Sequence, residues 1–188
     1  MEGSLYYGES RRGNPLPTLN NCAVRAQIPE TAPVNAPARH ATAPRLEDFP
    51  YRLTDNVRFG DLDPNQHVNN AVYATYFETG RVTLMKDPGN GLVPEGLAWI
   101  MVRLDIHFRA ELRWPGVIEL GLGVSKFGRT SVTFDQVVFS QGRCVASAQS
   151  VTVLIGEASR KPTSLTPDVI AKFQPWLCRG SHRPGRSR

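Results

Sequence analysis

The chain has 188 residues, 40% of them hydrophobic, with 22 basic and 17 acidic side chains and a formal net charge of +5. That length suits one domain with tails and the apolar fraction suffices for a core, while no apolar run approaches the roughly 20 residues that a membrane-spanning helix needs. The charge gives no broad basic surface for nucleic acid, because it sits at the ends: residues 1–47 carry five arginines and four glutamates, residues 179–188 carry four arginines and no acid, and the remaining 13 basic and 13 acidic side chains cancel.

Residues 1–47 are rich in Pro, Ala, Asn and Arg, and "TAPVNAPARHATAP" has neither a helical nor a strand period. Such a composition cannot bury enough surface to offset its ordering entropy, so a disordered N-terminal extension is expected. The four glutamates argue against a targeting peptide, and the first residues lack the basic-then-apolar order of a secretory signal. Cys22, Cys144 and Cys178 lie far apart without metal-ligand spacing, and Cys144 falls in an expected strand as a buried thiol. These features point to a cytoplasmic protein in a reducing compartment. Residues 179–188 are expected to form a basic disordered tail, which leaves 48–178 as the folded domain.

Within that domain "YRLTDNVRF" (51–59) alternates as a strand does. The polar loop "DLDPNQHVNN" (61–70) follows. Then comes "AVYATYFETGRVTL", where Val72, Tyr73, Tyr76, Phe77 and Leu84 recur at spacings near three and four. Asn69 or Asn70 makes a good N-cap, since its side-chain oxygen accepts from a free first-turn N–H. The helix is expected to reach about Lys86, where "DPGNG" ends it. Gly80 inside it costs roughly 1 kcal/mol relative to Ala, which suggests close approach by a neighbouring backbone or ligand.

Four strands are expected next, over 99–109, 117–126, 130–140 and 143–155. In the first, Ile100, Val102, Leu104, Ile106 and Phe108 share one face, and Arg103, Asp105, His107 and Arg109 share the other as surface or subunit contacts. In the second, Ile118, Leu120, Leu122 and Val124 share a face. A short helix follows, with Thr166 as N-cap and Pro167 at its first position. The expected class is α+β, one long helix against a twisted antiparallel sheet. An open sheet edge invites pairing with a second copy, giving a homodimer or homotetramer.

The loop ahead of the helix concentrates the reactive side chains: Asp61, Asp63, His67 and the asparagines 65, 69 and 70. A carboxylate there can act as general base or nucleophile. The unpaired N–H groups and positive end of a helix can hold an oxyanion. The same residues also fit an ordinary capped turn, with Asp63-Pro64 as a turn pair, His67 as a loop histidine and Asn70 as a cap. Glu78 is a rival carboxylate, or the partner of Arg81 on the helix face.

The order of elements, with Asp61-Leu62-Asp63, His67-Val68-Asn69-Asn70 and Tyr73-Ala74-Thr75-Tyr76-Phe77-Glu78, resembles the hotdog-fold thioesterases. It is most similar to the hydroxybenzoyl-CoA thioesterase group, including its long-chain acyl-CoA enzymes. The resemblance covers about residues 51–177. It implies a sheet wrapped around one central helix and hydrolysis of acyl-CoA to a carboxylic acid and CoA with no cofactor, and no His/Cys/Asp cluster in the sequence has metal-ligand spacing. It picks Asp63 as the carboxylate and the Asn70 backbone N–H as the oxyanion donor, with His67 and Asn65 orienting water or substrate. Tyr73, Tyr76 and Phe77 become candidate acyl-tunnel walls, and Arg129, Thr130 and Ser131, with Lys126, become contacts for the CoA arm. The loop is also similar to that of plant-type acyl-ACP thioesterases, through Asp63, Asn65 and His67. Acyl-ACP hydrolysis, a non-catalytic acyl-CoA-binding module, and a dehydratase pairing His67 with Glu78 are the alternatives.

Overall fold

In the computed structural model the described residues are 44–178. The expected disorder of 1–47 and 179–188 therefore falls outside them, except at 44–47, where a 3-10 turn starts at Leu46. The elements are β1 (Tyr51–Val57), α1 (Asn70–Lys86), β2 (Leu97–Phe108), β3 (Gly116–Phe127), β4 (Ser131–Ser140), β5 (Arg143–Gly156) and α2 (Pro167–Phe173). The strands form one antiparallel sheet in the order β1-β3-β4-β5-β2. Among the described residues no helix is long and apolar enough to cross a membrane.

The helix begins where the sequence puts it. Asn69 caps α1 by accepting the Ala71 N–H at 2.9 Å. Its apolar stripe then lies along the sheet and divides the core. Near the helix start Tyr73, Tyr76 and Phe77 pack with Ile118, Leu120, Val138, Ala146 and Ala148. Near its end Leu84 and Met85 pack with Leu122, Val124, Val132, Phe134 and, from α2, Phe173. Thr166 caps α2 through the Val169 N–H at 3.3 Å. On the other face of the sheet Phe49 packs with Val137 and Phe139, flanked by Leu46, Cys144 and Cys178. Cys144 is half-buried rather than enclosed. This is the expected hotdog arrangement of one helix against an antiparallel sheet.

Three expectations change. β2 does not keep one apolar face, because a β-bulge between Met101 and Arg103 shifts its register against β5. Residues paired across strands share a face, so Trp99, Met101, Leu104, Ile106 and Phe108 follow the inward residues of β5. Ile100 turns outward with Arg103, Asp105 and His107, and Arg103 and Asp105 form an ion pair there. Gly80 is approached only by side chains: a Cβ there would stand 3.7 Å from Gln136 Nε2 and 3.9 Å from Leu53 Cδ2, ordinary contact distances. Arg81 is buried and makes no ion pair with Glu78; its guanidinium donates to Phe77 O, to Gln136 Oε1 at 3.0 Å and to Met101 Sδ at 3.1 Å. Burial lowers the Arg81 pKa, and the field of Glu78 partly offsets this.

Candidate active site

The loop from Arg58 to Asn69 is fastened by its own polar groups. Asp61 caps a 3-10 turn by accepting the Arg58 N–H at 2.8 Å. The same carboxylate oxygen accepts the Tyr76 hydroxyl at 2.5 Å. The Asp61 carbonyl accepts the N–H of the cap residue Asn69 at 2.9 Å. Burial and the adjoining Asp61 carboxylate push the Tyr76 phenol well above its ordinary range, so it stays a donor.

Asp63 sits at the centre of the next turn. Its Oδ1 accepts the N–H groups of Asn65 at 2.8 Å and His67 at 3.2 Å, and its backbone N–H donates to the His67 carbonyl at 2.8 Å. Its Oδ2 has no partner among the described residues. Gln66 takes a φ of +64° to complete the turn.

The helix start offers the complementary group. Of the first amides of α1, that of Ala71 goes to Asn69 Oδ1 and that of Val72 to Asn69 O. The Asn70 N–H is left without an acceptor among the described residues, as geometry requires somewhere at a helix N-terminus. Asp63 and Asn70 line one cleft of about 340 Å³, together with His67, Tyr73, Phe108 and Arg109. Tyr73 and Phe108 form its apolar wall, with ring centroids 5.1 Å apart, edge to face.

His67 turns its ring to the rim. Its Nε2 lies 2.7 Å from Arg113 Nη2 and 3.2 Å from Glu111 Oε2, and Arg113 also donates to Glu111 at 3.1 Å. When Nε2 accepts from Arg113 the ring is neutral with its proton on Nδ1; when Nε2 carries a proton it can donate to Glu111 instead. The Arg113 hydrogen bond, and then the charge of His67, hold the Glu111 carboxyl below its usual range.

Other expected site residues lie elsewhere. Asn65 is exposed at the loop tip and gives the cluster only its backbone N–H. Phe77 and Tyr76 are fully buried in the core and do not line the cleft. Glu78 is exposed and absent from it. Arg129, Thr130 and Ser131 occupy the far end of the sheet. Thr130 accepts the Leu154 N–H, whereas Phe108 at the cleft pairs with Ala146; eight strand residues separate these points, roughly 26 Å. A single chain does not bring that hairpin to the cleft. Sequence reasoning missed Phe108, Arg109, Glu111 and Leu112 as lining residues. Arg109, expected as a surface or subunit contact, is exposed and also borders the cleft. The one available signal was an acid between arginines in "RAELR" after a strand.

Several solved structures share this fold. The PA5185 protein of Pseudomonas aeruginosa strain PAO1 is 23% identical, with a TM-score of 0.64 over 72% of this chain and 96% of its own. YbaW, a probable thioesterase from Escherichia coli, is 23% identical, with a TM-score of 0.61 over 67% and 98%. A thioesterase from Thermus thermophilus, complexed with coenzyme A and Zn, is 24% identical, with a TM-score of 0.60 over 67% and 98%. These likenesses establish the fold. The family model for the thioesterase-like superfamily matches residues 57–173, a span that runs from the end of β1 to the end of α2 and takes in the whole loop and cleft. More than half of the sequence is thus matched, and the chain belongs to the thioesterase-like superfamily.

Proposed function

We propose that this protein hydrolyses acyl-CoA thioesters, with Asp63 and the Asn70 N–H as its reacting groups. The observation that carries this reading is their shared cleft: a carboxylate with one oxygen fixed and one free, beside a helix-start amide with no acceptor. Asp63 Oδ2 takes a proton from water while the resulting hydroxide adds to the thioester carbonyl carbon. The oxyanion so formed accepts the Asn70 N–H, with the positive end of α1 behind it. Collapse expels the CoA thiolate, which recovers the proton from Asp63. Direct attack by Asp63 through an acyl-enzyme anhydride uses the same two groups. His67 borders this water from the rim, and Asn65 acts through its amide on Asp63. Tyr73 and Phe108 face the acyl group. CoA bound to the Thermus thermophilus thioesterase supports the choice of carrier.

A second copy belongs to this reading. β2 is hydrogen-bonded on one side only. Met101, Val102 and Phe108 along it are 46%, 60% and 50% exposed. A homodimer paired through β2 would cover them and close the open side of the cleft.

The test measures thiol release from a panel of acyl-CoAs by wild type and Asp63→Asn. General-base catalysis contributes about 10²–10⁴-fold, so kcat should fall by that factor while the variant keeps its melting temperature. Full activity in Asp63→Asn, or no turnover of any chain length by wild type, rejects the mechanism.

A further inference from the structure

Beside the cleft lies an aromatic pair that the core does not use. Phe59 and Trp114 are 69% and 48% exposed, yet their rings meet edge to face with centroids 5.4 Å apart. Single exposed apolar side chains need no explanation, but a paired aromatic surface next to a candidate site does. Phe59 stands two residues before Asp61, and its carbonyl accepts the Leu62 N–H. Trp114 follows Arg113, whose guanidinium reaches His67 in the cleft. The pair is therefore tied to the site through both loops that build it. It follows β1 and precedes β3, which lie at the opposite side of the sheet from β2, so pairing through β2 leaves it open.

Arginines surround Glu111 at the cleft. Arg109 lines the cleft with Glu111. Arg113 donates to Glu111, and the charge of Arg143 also reaches that carboxylate. This rim thus holds three arginines and one glutamate. Among the described residues the Arg109 side chain has the Ser147 hydroxyl as its one hydrogen-bond partner, at 3.0 Å.

We infer that this rim holds the 3′-phosphoadenosine diphosphate end of CoA, with adenine on Trp114 and Phe59 and the phosphates on Arg109, Arg113 and Arg143. The inference rests on the reading of the cleft as an acyl-CoA site. A purine stacks on aromatic side chains, and a guanidinium fork matches phosphate oxygens. An acyl carrier protein brings a phosphopantetheine arm but no purine, and so leaves the ring pair without a ligand.

The probe is adenosine 3′,5′-bisphosphate, titrated into the full chain by calorimetry and by tryptophan fluorescence. Wild type should bind it, and Trp114→Ala and Arg143→Ala should each weaken binding about tenfold or more. Trp114→Phe should keep most of the affinity but lose the fluorescence response, which places the ligand at that ring. In turnover, the kcat/KM preference for acyl-CoA over the matching acyl-pantetheine should shrink by a similar factor in Trp114→Ala. Arg129→Ala is the contrast, since that hairpin is a cationic turn at the far end of the sheet; a loss there with none in Trp114→Ala overturns the assignment. So does a change of particle mass in Trp114→Ala, which gives the rings to a second copy. So does a preference for acyl-ACP over acyl-CoA that the variant abolishes. If the bisphosphate binds as expected but no thioester is hydrolysed, the hydrolase reading fails and the nucleotide site stands. If hydrolysis proceeds and every variant binds alike, the nucleotide site fails alone.

Discussion

Asp61, two residues from the proposed base, decides how rigidly that base is held. Its side chain ties the 3-10 turn to Tyr76 in α1, and its carbonyl ties the same turn to the helix cap. The position of Asp63 relative to the Asn70 N–H therefore depends on a phenol three residues beyond Tyr73, fully buried in the core. Tyr76→Phe removes the donor and leaves a partly buried carboxylate with one fewer bond. A hydrogen bond to a charged group contributes about 1.5–3 kcal/mol, so the variant should lose stability of that order and kcat should fall further than KM rises. Adding Asp61→Asn should then cost less than it does in wild type, because the Tyr76 contact is already gone and only the interactions with Arg58 remain to be weakened. The pH dependence has a definite sign. The folded phenol is raised, so its contribution is complete below the unfolded tyrosine value of about 10 and fades as pH rises above it. The stability gap between wild type and Tyr76→Phe should narrow in that alkaline range when followed by chemical denaturation. A gap that widens there contradicts the assigned contact.

At the scale of elements, α1 illustrates what local sequence specifies. Its cap, its stripe of Tyr73, Tyr76, Phe77 and Leu84, and its end at Lys86 all follow from side-chain spacing and cap chemistry. Its glycine does not follow in the same way. Space around Gly80 is set by Gln136 and Leu53, which reach it from β4 and β1, and both stand far enough off to admit a methyl group. Gly80→Ala should therefore stabilise the fold by up to about 1 kcal/mol, the difference in helix propensity, rather than disrupt it. Thermal unfolding of the variant checks this, and a large loss would mean that the helix must shift to accept the methyl. β2 shows the opposite limit. "WIMVRLDIHF" alternates well enough on paper, but one bulge at Val102 exchanges the faces of Ile100 and Met101, and no side chain marks it. The half of the cleft formed by 108–112 was equally hidden. Val68 donates to Leu112 at 2.9 Å, and Arg113 reaches a histidine 46 residues earlier. Such neighbours exist only once the sheet has closed over the helix. The loop and helix start were legible because their chemistry is contiguous along the chain; the rim was not, because it is assembled from two distant loops.

At the scale of the whole molecule the sheet ends at β1 and at β2, and β2 is the longer edge. Twelve residues long, it carries no proline or lysine; its bulge and the Arg103–Asp105 pair are what guard it, and an open edge of that length offers a template for pairing with another chain. On the other face of the sheet, Leu46, Phe49 and Pro50 approach Gly121 and Gly123, where Cβ atoms would stand 2.9–3.1 Å from them; that area is already filled by the chain itself. The proposed two-fold pairing of β2 with its copy would cover Met101, Val102 and Phe108, and a two-fold contact is self-complementary by construction. Phe108 links this edge to chemistry, since it packs on Tyr73 in the cleft with half its surface still exposed. Val102→Lys places a charge on the bulge without touching any residue of the cleft. Sedimentation should show a dimer for wild type and a monomer for Val102→Lys. The monomer should unfold cooperatively, because all three core clusters lie within one chain, yet its kcat/KM for acyl-CoA should drop at least tenfold as the wall beside Phe108 opens to water. A wild type that stays monomeric at every concentration while turning over acyl-CoA at full rate would separate the cleft from the edge and leave catalysis to the single chain.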